Sequence, residues 1–315
     1  MPGARTLGYL LLGCASCSPQ VVNAVDDLPF HDAGIDSGRA DGGGGSGGDT
    51  EVDAGGGSSG SGGSSEGGTA GIAGDGGGSE AGAAGTEATL RGDALIHRYS
   101  FGGAGTQVLD AKGAAHGAVI GAQLAKGSVH LAGTAMANQY VDLPDGLISG
   151  LSDATFEAWV NWDGGEVWQR VFDFGEDETG NEDARSVGRS YLFLSPHGGD
   201  DFVRAVYKNP DIAEVILDVK PALGVNVPSH VAVVFDDTHD SMLLYVNGVL
   251  GGSVNVAGKL SQIHDVNDWL GRSQFVVDAP YTGFIDEFRI YDAALSPAEI
   301  KKSFDSGPDV VFPDP

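Results

Sequence analysis

From Leu95 onward, apolar residues recur at every second position rather than every third or fourth. Side chains of period two alternate across a strand, so this pattern predicts half-buried β-strands. The windows are 95–101, 128–133, 154–162, 170–175, 191–196, 202–207, 213–219, 229–236, 241–249, 268–273 and 284–291. Turn clusters such as "PDG", "DGG", "HGGDD" and "DDTHD" separate them. Asn247-Gly248 after "LLYV" is a short-hairpin signal, because both residues tolerate positive φ. A single helix is predicted, at "LSPAEIKKSF". Ser296 is its N-cap, Pro297 its first residue, and Glu299 closes a capping box. Many short, evenly spaced strands in one domain mean an all-β, two-sheet antiparallel sandwich or jelly roll.

The last window, "FIDEFRIY", raises a specific question. Strict alternation puts Phe284, Asp286, Phe288 and Ile290 on one face and Ile285, Glu287, Arg289 and Tyr291 on the other. Glu287 and Arg289 then suit a solvated face. Asp286, between two phenylalanines, suits its own poorly. A buried carboxylate must be protonated, hydrogen-bonded, ion-paired or bound to a metal. Arg289 is on the wrong face to pair with it, which leaves backbone N–H bonds or a metal.

Composition divides the chain. No Phe, Trp or Tyr occurs between His31 and Arg98, where Gly dominates. Such a tract buries too little apolar surface to offset its ordering entropy. The expected organisation is a signal region (1–20), a disordered, acidic Gly/Ser-rich linker (21–90), a folded domain (91–306) and a tail (307–315). The net charge is −27, and residues 91–315 alone carry 32 acids against 15 bases. That excludes nucleic-acid binding through phosphates, and docking to anionic lipid through a basic patch.

The opening "MPGARTLGYLLLGCASC" has a positive start and an apolar run too short to span a bilayer. Its "LLGC" resembles a bacterial lipobox. That resemblance implies lipidation at Cys14, with the only membrane contact through a lipid anchor. Ala15 behind it implies the outer membrane or cell surface; a secreted form is the alternative. Cys14 and Cys17 are the only cysteines, so the domain has no disulfide and no thiolate metal site.

In order along the chain stand "LIHRYSF", "GLSDATFEAWVNW", "WQRVFDFG", "HVAVVFDDTHDSMLLYVNGVLGGS", "WLGRSQF" and "GFIDEFRIYDAALSPAEI". Together they resemble the LamG-like jelly roll of the concanavalin A-like lectin/glucanase superfamily, over about Leu95 to Phe304. The resemblance implies two packed antiparallel sheets, one concave and one convex. It also implies one structural Ca²⁺ on the Asp of the last strand, here Asp286, with a backbone carbonyl of an early segment, here Gly127. An Asp simply bonded to backbone amides is the alternative.

Glucanases of this superfamily place their acids as E-x-D-x-E on one strand, and no such run exists here. The acidic stretch "GEDETGNED" (175–183) lacks period-two spacing and reads as a solvated loop. His97 and His230 read as packed or hydrogen-bonded rather than ligating. No enzyme is expected. Trp159 lies opposite the apolar set Phe156, Ala158 and Val160, so it points away from the core. With Arg170 and Arg272 it forms the candidate ligand surface, an aromatic platform beside polar groups. The plainer alternative is packing plus a salt bridge to Glu157 or Asp173. The expected function is a non-enzymatic surface module recognising glycan or protein. The alternatives are a purely structural envelope module and, more remotely, a diverged glycoside hydrolase.

Overall fold

The computed structural model describes residues 92–133 and 138–310. Its first strands are β1 (Leu95–Tyr99), β2 (Gln107–Val108), β3 (Gly117–Ile120), β4 (Leu124–Ala125), β5 (Ser128–Ala132) and β6 (Tyr140–Leu143). The middle of the chain forms β7 (Ala154–Trp162), β8 (Phe172–Asp177), β9 (Gly188–Ser195), β10 (Val203–Lys208) and β11 (Val215–Val219). There follow β12 (Pro228–Asp236), β13 (Ser241–Val246), β14 (Val249–Asn255), β15 (Asn267–Leu270), β16 (Thr282–Tyr291) and the helix α1 (Pro297–Ser306). Lipidation at Cys14, the linker 21–90 and most of the tail lie outside the described residues.

Two antiparallel sheets of eight strands each form the sandwich. Sheet A runs β14-β13-β12-β7-β16-β5-β4, with β1 also on β16. Sheet B runs β11-β10-β9-β8-β15-β6-β3-β2. The core between them takes alternate residues from each sheet, such as Phe156, Ala158 and Val160 from β7, and Phe172 and Phe174 from β8. Phe156, Phe172, Phe174 and Phe288 pack together with ring centroids 5.1–5.9 Å apart. Each such ring contributes about 1.5–3 kcal/mol through burial. Asn247 and Gly248 turn at φ 50° and 74°, as the hairpin signal requires. α1 starts at Ser296 with the expected capping box.

Five strands were not expected. β2 and β4 have two residues each, too few for any period. β3, β6 and β14 are short or Gly-rich. Sequence windows see the alternation of longer strands only.

The outer face of sheet A is covered. Ile300 of α1, with Leu295 and Ala293 before it, packs on Ala232, Val234, Tyr245 and Tyr291. This corrects the reading of Glu287 and Arg289 as solvated, since each is only 1% exposed. Arg98 donates to Glu287 at 2.5 and 3.2 Å, and Arg289 Nε donates to Glu287 at 2.7 Å. Arg289 also reaches the carbonyls of Pro308 and Val310 and so pins the segment after α1 to the sheet. Glu157 lies beside it, held by His230 Nε2 at 2.8 Å and by the Tyr291 hydroxyl at 3.1 Å. Burial pushes the Glu157 carboxyl up. The His230 hydrogen bond and the His230 and Arg289 charges outweigh that and hold it below the ordinary range.

Candidate functional site

A β-bulge answers the question about Asp286. Pairing of β16 with β7 slips by one residue between Ile285 and Glu287. One extra residue reverses the alternation. Ile285 faces the core before the bulge, and Phe288 and Ile290 face it after. Phe284 is therefore turned outward, where it stacks on His130 at 4.3 Å. Asp286 is not wedged between two phenylalanines. It is half-buried at the slip itself. There β16 also changes its other neighbour: β5 pairing ends at Ile285 and β1 pairing begins at Phe288.

No hydrogen-bond donor reaches the Asp286 carboxylate among the described residues. Burial, and then the charge of Asp309, push its pKa up. Gly127, at φ 84°, is in the tight β4–β5 turn. Pairing of β16 with β5 ends at Ile285↔Val129, two residues along the chain from Gly127. A carboxylate with no protein donor, near the acid Asp309, offers oxygen ligands of the kind a hard cation takes. No group of three His, Cys, Asp or Glu side chains converges among the described residues, so carbonyls and water would complete the shell.

The expected ligand surface divides between the two faces. Trp159 does point away from the core, but on sheet A. It is buried there, with the Arg289 guanidinium 4.5 Å above its ring and His230 at 4.7 Å. This corrects its assignment to a surface shared with Arg170 and Arg272. Both arginines are on the outer side of sheet B, across the full sandwich. The alternation of β7 was read correctly, but what covers its outer face comes from α1, far along the chain.

The outer face of sheet B is aromatic and charged. Arg170 is nearly buried, with its guanidinium 3.7 Å over the Phe193 ring. It donates to Asp173 at 3.2 Å, Asp278 at 2.6 Å and the Trp168 carbonyl at 2.6 Å. The Asp173 pairing is the salt bridge of the plainer reading. Burial pushes Asp173 up to about 7, against the pull of Arg170 and the Gln274 N–H and with help from Asp278. Arg272 lies over the rings of Trp269 and Tyr140, at 4.0 and 4.3 Å. The stretch 175–183 is no solvated loop at its start. Glu176 and Asp177 end β8 in buried positions, and Asp177 Oδ1 accepts from Thr179 and the Gly180 N–H.

A cleft of about 210 Å³ opens on this face, walled by Trp168, Phe275, Arg204 and Glu214 over a floor of Arg170 and Phe193. Trp168 flanks the "DGGEV" loop with Trp162 in the sequence but is not part of the expected surface of Trp159, Arg170 and Arg272. It is half-buried, with φ 65°, and its amide is held by the His197 carbonyl at 3.0 Å. A left-handed backbone is a genuine outlier for a bulky residue. It costs on the order of 1–3 kcal/mol and persists only where the surroundings enforce it. Arg204 lies 5.0 Å from the Trp168 ring and is paired through both forks to Asp218. Tyr191 donates to Glu214.

Residues 109–301 match the family model described as the concanavalin A-like lectin/glucanases superfamily. The chain belongs to this superfamily. No curated protein matches the sequence. Among solved structures, the superfamily fold is shared with the binding domain of botulinum neurotoxin DC, solved with rat synaptotagmin II. That match has 14% identity and a TM-score of 0.52, over 68% of this chain and 52% of that one. Domain 4 of AbnA, an extracellular arabinanase from Geobacillus stearothermophilus solved with arabinotriose, matches at 20% identity and a TM-score of 0.48. It covers 66% of this chain and 97% of that one. The CBM40 of the Ruminococcus gnavus IT-sialidase, solved with sialyllactose, matches at 19% identity and 0.42, over 52% and 95%. Identities this low speak to the concanavalin A-like fold alone. No helix among the described residues is long and apolar enough to cross a membrane.

Proposed function

We propose that this domain is a non-enzymatic surface module that binds a glycan on the outer face of sheet B, in the cleft beside Trp168. The observation that carries the reading is Trp168 itself. Its ring is presented half-exposed at the cleft wall beside Arg204, with its backbone N–H and carbonyl both held by hydrogen bonds. Sugar rings stack their C–H faces on such a platform, and Glu214 and the Asp218–Arg204 pair supply polar partners for hydroxyls. On the opposite face, α1 and the segment pinned by Arg289 cover the part around Ala232, Val234, Tyr245 and Tyr291. Lipidation at Cys14 and the Gly/Ser-rich tract behind it would display the module away from an outer membrane. Asp286, with the Gly127 carbonyl, would hold a calcium ion that ties β16 to β5.

Full-length protein on a glycan array tests the reading. Binding is expected, and Trp168→Ala should weaken it about tenfold, the scale of a lost aromatic platform. Unchanged binding by a folded Trp168→Ala protein would sink the site. Capture of an envelope protein with no glycan bound would favour a structural or protein-binding role instead.

A further inference from the structure

One carboxylate in the wall of the Trp168 cleft is held in place without being neutralised. Glu214 lies one residue before β11, lines the cleft and is exposed. Tyr191 packs with Phe193 and Val206 on the outer side of sheet B, apart from the main core. Its hydroxyl donates to Glu214 Oε1. Burial, and then the Glu214 hydrogen bond and charge, push the Tyr191 hydroxyl up, so it remains a donor. No other donor among the described residues reaches the Glu214 carboxylate, and Oε2 is left open towards the cleft. A neutral acceptor would also satisfy the Tyr191 hydroxyl. A carboxylate adds a charge that this bond does not cancel.

The cations of the same wall are already paired. Arg204 gives both forks to Asp218, and Arg170 is shared between Asp173 and Asp278. Lys208 follows Arg204 and Val206 on the same side of β10. Its ammonium is turned to the carbonyls of Asn209 and Ile212, and it does not line the cleft. Among the described residues that line the cleft, Glu214 is therefore the charge without an opposite partner. A carboxylate with one oxygen tied down is a directed acceptor for hydroxyl donors. Charge assistance makes such bonds about twice as strong as neutral ones. The same charge repels a second carboxylate brought into the cleft. An uncharged sugar brings the hydroxyls without that repulsion.

We propose that Glu214 determines specificity here: it accepts hydroxyls of an uncharged sugar and disfavours sugars that carry a carboxylate, with Tyr191 as its positioning residue. The inference rests on the reading of Trp168 as a glycan platform.

Glucose, galactose and the uronates of both are titrated into the full chain, with the indole N–H signal of Trp168 as reporter. The neutral sugar that binds should do so about tenfold more tightly than its uronate at low salt. High salt should narrow that bias, because screening acts on charge and not on shape. Glu214→Gln should erase the bias and weaken the neutral sugar several-fold. Tyr191→Phe leaves the charge but frees the carboxylate, so the neutral sugar should weaken while the bias persists; unchanged affinity there would deny Tyr191 its positioning role. Equal binding of a sugar and its uronate, a preference for the uronate, or a bias that survives Glu214→Gln overturns this inference and leaves the glycan reading of Trp168 in place. A chain that binds no sugar in any arm removes both.

Discussion

Replacing Arg289 by methionine keeps much of the side-chain volume and removes one buried positive charge. The variant loses the 2.7 Å bond to Glu287, the contact over Trp159, and the bonds that hold the Pro308 and Val310 carbonyls. Breaking a buried ion pair from one side costs about 3–5 kcal/mol. The lower end applies here, about 3 kcal/mol, because each carboxylate keeps other partners. Glu287 retains Arg98, and Glu157 retains His230 and Tyr291. In a domain of about 200 residues that lowers the melting temperature by roughly 6–12 °C.

The loss should depend on pH. In the native protein the Glu157 pKa is depressed, so its contribution is present above the unfolded pKa and lost as pH falls through the folded value. Without Arg289, each carboxyl loses a stabilising positive charge and moves up; Glu287 is already raised by burial in the native protein. Raised carboxyls stabilise below the unfolded pKa and lose that stability as pH rises through the folded pKa. The gap between native and variant should therefore be widest near pH 8 and narrow towards pH 5. Urea melts at both pH values measure it. A gap below about 1 kcal/mol, the scale of an exposed pair, or one that does not change with pH, would refute this account of the cluster.

Two further outcomes are expected. Calcium should raise the melting temperature relative to a chelator, and Asp286→Asn should remove the difference; identical melting of the native chain in both conditions leaves Asp286 without a metal. Intact mass of the protein made in a Gram-negative host should show acyl addition at Cys14, and an unmodified soluble product would exclude the lipid anchor.

Period-two alternation over windows such as 154–162 and 229–236 determined the strands by itself, because it is a local property of the chain. The Asn247-Gly248 turn and the Ser296–Glu299 capping box are equally local, and each formed as its residues dictate. The bulge at Asp286 is different in kind. It exists only relative to the register of β7 and β5, and no strand's own sequence contains its neighbour's register. That single slip reversed the faces of Phe284 and Ile285. The fate of the outer faces was also decided at long range. Trp159 and Glu157 are buried because α1 and the residues after it, more than a hundred positions later, return to cover sheet A. Arg170 and Arg272 are a hundred positions apart and share a face only because β8 and β15 are paired. Local propensity fixed what each segment became, and tertiary packing fixed which side of it met water.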